Sequence, residues 1–118
     1  MTELIACLST GKGTWGHVYR LIEDKRWSKI FLLCNEYASK NFKTNDKSEL
    51  IVINDRTGIK ELRDDIKNKL KEKIKGTEAG VNFISGSGRE HMALVSALLQ
   101  LGIGIRFVAL TKDGVEEI

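Results

Sequence analysis

In the segment Leu4-Ile5-Ala6-Cys7-Leu8-Ser9-Thr10-Gly11-Lys12-Gly13-Thr14-Trp15-Gly16, an apolar run without polar alternation gives way to a loop bearing glycines. Trp15, Val18, Tyr19 and Ile22 then recur at helical spacing, so the segment reads as strand, glycine loop, helix. The same sentence is spelled again further along. Gly80 to Ile84 reads as a strand, Ser85-Gly86-Ser87-Gly88 as a second glycine loop, and Arg89 to Leu101 as a helix rich in Ala, Leu and Val.

Between these units, Lys29 to Cys34 reads as a buried strand, Glu36 to Phe42 as a weak helix, and Leu50 to Ile53 as a third strand. From Gly58, the residues Ile59, Leu62, Ile66, Leu70 and Ile74 step by three or four with charges between them, the mark of a long amphipathic helix. Ile103 to Leu110 is a fifth strand, Thr111 to Gly114 has turn chemistry, and Val115 to Ile118 is placed to return as a short antiparallel edge strand. Strands alternating with helices require right-handed crossovers and a mostly parallel sheet covered on both faces. The expectation is an α/β, Rossmann-like three-layer sandwich of strand order 3-2-1-4-5, spanning residues 1–118 as one domain.

Composition fits one such core: 118 residues, 42% apolar, 30% charged, eleven glycines and no proline. A net charge of +3 is far below that of a polyelectrolyte binder, so an anionic ligand has to be met locally. In the long helix Asp and Glu nearly balance the lysines, which argues against direct binding of duplex nucleic acid. No apolar run approaches the ~20 residues of a membrane span. Met-Thr-Glu-Leu-Ile-Ala-Cys at the start has neither a basic region nor a cleavage site, and the two cysteines form no CxxC pair. The expected setting is the cytoplasm, with Cys7 and Cys34 as buried, inert thiols.

With strands 1 and 4 as neighbours, the chain leaves them in opposite directions and opens a crevice at their carboxyl ends. Both glycine loops stand there, each feeding a helix amino terminus whose free N–H groups and dipole favour phosphate. Lys12 lies inside the first loop and Arg89 closes the second, adding a mobile and a forked cation. Ser9 and Thr10 carry hydroxyls into the crevice, and Asn35 ends the second strand beside it. His17 and His91 each fall near the start of a helix leaving a glycine loop, within reach of a phosphate or ribose, while Glu90 reads as a first-turn dipole partner. Gly11 to Gly16 also spells G-x-G-x-x-G with Glu36 twenty residues beyond its end, the dinucleotide fingerprint, although Trp15 sits inside it and 118 residues leave no second domain for a substrate. A Walker A loop is absent, since Gly13 follows Lys12. No metal is expected, because two histidines on different helices without clustered acids or thiols match no ligand pattern, and no cofactor is implied. The helix from Arg89 is apolar nearly all round, which points to packing across a twofold axis.

Ile84-Ser85-Gly86-Ser87-Gly88-Arg89-Glu90-His91-Met92-Ala93 resembles the signature after strand 4 of the CARF family, the CRISPR-associated Rossmann-fold sensors of cyclic oligoadenylates. Ser9-Thr10-Gly11-Lys12-Gly13 is similar to that family's ligand loop after strand 1. The resemblance implies a homodimer whose paired crevices bind cyclic tetra- or hexa-adenylate. The ring would sit against Gly11, Gly13, Thr14, Asn35, Ser85, Gly86, Ser87, Gly88 and Met92, with phosphates on Lys12, Arg89 and loop amides. For a sensor without an attached output domain it further implies a ring nuclease, an off-switch of type III CRISPR signalling. A ribose 2′-oxygen would attack the adjacent phosphorus without a metal, assisted by Ser9, Thr10, Lys12, Arg89 and His91. A non-catalytic sensor or sponge, and a nicotinamide-dinucleotide domain, stand as alternatives.

Overall fold

A computed structural model describes residues 2–118. Its strands are β1 (Thr2–Cys7), β2 (Trp27–Cys34), β3 (Ser48–Val52), β4 (Glu78–Asn82), β5 (Gly104–Thr111) and β6 (Gly114–Glu117). Its helices are α1 (Trp15–Ile22), α2 (Glu36–Asn41), α3 (Ile59–Leu70) and α4 (Gly88–Gln100), with a 3₁₀ turn at Lys12–Thr14 leading into α1. The sheet has the order β3-β2-β1-β4-β5-β6, parallel throughout except for the antiparallel β5–β6 edge. The expected α/β architecture and strand order are both present, with β6 as the added edge strand.

The uninterrupted apolar runs of β1 and β2 exist because both sheet faces are covered. Along β1, Ile5 and Cys7 join one core with Leu62, Ile66 and Leu70 of α3 and Leu94, Ala97 and Leu98 of α4. Leu4, Ala6 and Leu8 point the other way, into a core with Trp15, Val18 and Leu21 of α1 and Ala38 of α2. The period of two is intact; only its polar half is missing. Gly80 in β4 lets the Trp27 indole cross the sheet face, since a Cβ there would stand 3.1 Å from that ring. The indole N–H is satisfied by the Leu21 carbonyl at 2.9 Å.

Most element ends lie one or two residues from the sequence pattern, β3 for example running from Ser48 to Val52 rather than from Leu50 to Ile53, and two of the differences have a visible cause. β4 runs from Glu78 to Asn82 rather than from Gly80 to Ile84. Asn82 ends it by accepting the Ile84 N–H on its side-chain oxygen (3.2 Å) and donating its amide to the Val108 carbonyl (2.9 Å), which turns the chain before Phe83 and Ile84 can pair. α3 stops at Leu70, and Ile74 is reached by a further turn whose N–H still returns to Leu70 (3.0 Å). Among the described residues, no helix is long and apolar enough to cross a membrane.

Candidate functional site

β1 and β4 are hydrogen-bonded neighbours, with Ala6 opposite Asn82, so the loops that leave their carboxyl ends face one another. The Ser9 N–H donates to Ser85 Oγ (2.8 Å), Ser85 Oγ donates to Ser9 Oγ (3.1 Å), and Ser9 Oγ donates to the Gly11 carbonyl (2.7 Å). Ser85 is buried, so this short chain of hydroxyls locks the two glycine loops together. Trp15, awkward for a dinucleotide loop, anchors the first loop by donating its indole N–H to the Ser9 carbonyl (3.1 Å).

The second loop owes its path to Gly86, whose φ of +94° suits glycine and whose Cβ, if present, would lie 2.8 Å from that of Cys7. Ser87 then caps α4 in a reciprocal box: its hydroxyl accepts the Glu90 N–H (3.4 Å) while the Glu90 carboxylate accepts the Ser87 N–H (2.8 Å). That box uses the amides of Ser87 and Glu90. Gly88 and Arg89, the first two residues of α4, have amides without an intrahelical acceptor, at the end of the helix where the dipole favours negative charge.

Two further elements complete the rim. Asn35 caps α2 by accepting the Ala38 N–H (3.0 Å), and its amide reaches Thr10 Oγ1 at 2.8 Å and the Asp55 carboxylate at 3.4 Å. Arg89 spans the opening, its guanidinium donating to the Asp55 backbone carbonyl (2.7 Å). The resulting crevice, of about 300 Å³, is lined by Leu8, Ser9, Thr10, Asn35, Asp55, Gly86, Ser87, Arg89 and Glu90. Of the residues singled out in the sequence, Ser9, Thr10, Asn35, Gly86, Ser87 and Arg89 therefore meet, with Ser85 and Gly88 immediately behind or beside them.

Others lie elsewhere. Gly11, Lys12 and Gly13 are exposed on the first loop, with Lys12 Nζ 5.9 Å from the centroid of the Trp15 ring and Thr14 at the end of the 3₁₀ turn. His91 Nε2 is 2.7 Å from the Ser85 carbonyl and its ring stacks on Phe83 at 4.4 Å, so it braces the second loop from the side away from the crevice lining. Met92 stands 65% exposed on the outer face of α4, in an apolar groove with Phe83, Val95 and Leu99. His17 turns toward β5, where its Nε2 accepts the Leu110 N–H at 3.4 Å. Burial, and secondarily Arg20, hold its pKa below the ordinary imidazole value. The thiols are buried as expected: burial, then the Glu90 charge, pushes Cys7 far up, and burial pushes Cys34 up to about 11.

Sequence reasoning missed Asp55. It sits in Asn54-Asp55-Arg56-Thr57-Gly58, a turn-forming run at the carboxyl end of β3, on the same edge of the sheet as the two glycine loops, and that run is the signal that could have found it. The dinucleotide fingerprint fares poorly in three dimensions. Gly16, the glycine that should let helix and strand approach closely, is exposed and has open space where a Cβ would stand. Among the described residues no group of three or more His, Cys, Asp or Glu is placed to hold a metal ion.

Compared with known proteins, the chain matches no protein-family description and no curated sequence.

Proposed function

We propose that the protein is a cytoplasmic ring nuclease that binds a cyclic oligoadenylate across a homodimer crevice and opens it without a metal. The observation that carries this reading is the anion cradle at the β1/β4 switch point: two loops tied by Ser9 and Ser85, two free amides at the start of α4, and Arg89 across the mouth. The sequence resemblance of both loops to CARF ligand loops supports the choice of ligand.

In the proposed reaction a ribose 2′-hydroxyl gives its proton to solvent water as its oxygen attacks the adjacent phosphorus, the bond to the 5′-oxygen breaks, and that oxygen takes a proton back from water, so the products end in a 2′,3′-cyclic phosphate and a 5′-hydroxyl. Arg89 and the Gly88 and Arg89 amides offset the charge that gathers on the phosphorane oxygens. Thr10, oriented by Asn35, and Ser9 hold the ribose so that attacking and leaving oxygens stay in line. Lys12, on its exposed stem, adds a mobile cation once a ring is seated. His91 enters as the brace of Ser85, because its Nε2 is already engaged there.

The apolar outer face of α4 supports the dimer: Met92 and Leu99 are 65% and 66% exposed, and a second copy laid on them would hide that surface and bring two cradles together. Binding without cleavage is the second reading, favoured by one observation. The Glu90 carboxylate is spent in the capping box, so the crevice holds no free base beyond Asp55.

The test is to incubate the purified protein and a chelator with cyclic tetra- and hexa-adenylate, following products by chromatography beside a binding titration. Linear products ending in 2′,3′-cyclic phosphate are the expected outcome. Tight binding without products would make the protein a sensor or sponge, and no binding of either ring would overturn the ligand assignment.

A further inference from the structure

The phosphate cradle does not end at Asn35 and Asp55. Those two residues and Thr10 also line a second, larger hollow of about 980 Å³ between α2, the β3–α3 loop and the start of α3. The two hollows thus adjoin across Thr10, Asn35 and Asp55, and they have unlike linings. At the α4 end stand Arg89 and the free amides of a helix amino terminus, which select anionic oxygen. At the α3 end the character reverses. Four carboxylates, of Glu36, Asp55, Glu61 and Asp65, line this hollow against the two cations Arg56 and Lys69; Lys69 is held by Asp65 and the Val52 carbonyl, and among the described residues neither Arg56 nor the Asp55 carboxylate has an oppositely charged group within 4.0 Å. Among the described residues the one side-chain partner of the Asp55 carboxylate is the Asn35 amide, at a long 3.4 Å. Tyr37, which lines the same hollow and is 43% exposed, has one neighbouring ring among the described residues, Trp15, tilted at 6.4 Å, and so keeps stacking surface for a flat ligand.

Resting on the ring-binding reading above, we infer that this second hollow seats the base of the nucleotide whose phosphate lies in the cradle. Tyr37 stacks on it, and the Asp55 carboxylate accepts a hydrogen bond from an exocyclic amine. An under-satisfied carboxylate rejects a carbonyl oxygen and repels a phosphate, so it orients the ligand along the crevice and reads the amine of adenine against the oxygen of hypoxanthine. Stacking supplies affinity that is tolerant of base identity, and Asp55 supplies the discrimination. Asp55 thereby has two separable parts: its backbone carbonyl holds Arg89, while its side chain faces the base.

The experiment compares binding of cyclic tetra-adenylate and cyclic tetra-inosinate by calorimetry, for the wild type and for Asp55→Asn, with circular dichroism and Tm to confirm folding. The wild type should prefer the adenylate ring by about tenfold or more. In Asp55→Asn, whose amide both donates and accepts, the preference should shrink to about threefold or less, chiefly through tighter binding of the inosinate ring. Equal binding of both rings by the wild type would overturn the base-reading role while leaving the ring-binding proposal standing. Equal weakening of both rings in a folded Asp55→Asn would likewise overturn it, by making the side chain a mere prop for Asn35. Failure of either ring to bind the wild type would instead overturn the ring-binding reading and this inference with it.

Discussion

Gly86 joins backbone geometry to chemistry in a single residue. Its positive φ aims the second loop across the end of β1, and the missing Cβ is what allows Cys7 and His91 to close around it. Gly86→Ala meets both penalties at once: a left-handed backbone costs an L-residue about 1–2 kcal/mol, and the contact with Cys7 is with a rigid Cβ that cannot swing away. The expected outcome is a clear loss of Tm together with weakened ring binding, because Ser85 and Ser87 flank the displaced position. A variant with wild-type Tm and binding would show that the loop has another comfortable path. His17 makes a separate prediction. Its pKa is depressed in the folded protein, so as pH falls through 6.5 the unfolded chain takes up a proton that the folded chain refuses. Stability from this source is complete above that value and declines below it. His17→Gln keeps an acceptor for the Leu110 N–H and removes the titration. Urea midpoints at about pH 7.5 and about pH 5.5 should therefore differ less in the variant than in the wild type.

The element scale shows why some of the site was legible and some was not. The strand–loop–helix units are written in local terms: apolar runs of strand length, glycines, then a change of period to that of a helix. This is why β1, α1, α4 and the neighbourhood of both loops could be placed from their own residues. Phe83 and Ile84 misled because neither extends β4: Phe83 lines the apolar groove beside α4, and Ile84 is 47% exposed. The Ser9–Ser85 bond joins residues 76 apart in sequence, and Asp55 arrives from the loop after β3, outside the pair of strands that defines the switch point. Contacts of that range follow from packing and register, which no short window contains. The capping box, by contrast, is spelled locally as Ser87-Gly88-Arg89-Glu90. Ser87→Ala removes the acceptor for the Glu90 N–H and should cost about 1 kcal/mol of stability in a denaturant titration. It should also weaken ring binding, since the Gly88 and Arg89 amides lose the cap that orients them; a stability loss with unchanged binding would show that the amides stay oriented without it.

At the scale of the whole molecule, α4 has two faces with different obligations. Ala93, Leu94, Ala97 and Leu98 are buried against the sheet and α3, while Met92 and Leu99 stand in solvent one turn or so away on the outer side. Residues of the first group cannot be changed without loss of the core, where truncating a buried Leu costs about 2–5 kcal/mol. Residues of the second can, since the fold does not use them. The double variant Met92→Glu, Leu99→Glu should therefore keep the wild-type monomer fold and its far-ultraviolet circular dichroism. If α4 pairs across a twofold axis, the same variant places like charges against their own symmetry mates in a surface that has lost its apolar contact, and such an interface cannot close. Sedimentation should then show dimer for the wild type and monomer for the variant at the same concentration. The ring titration should shift in step, because a half-site holds only part of a ring and loses the second set of contacts that the tethered geometry supplies. A wild type that sediments as a monomer at every concentration would leave each crevice to act alone. The crevice would then have to be matched to a mononucleotide or linear ligand that fits within the cradle and the Asp55 hollow of one chain.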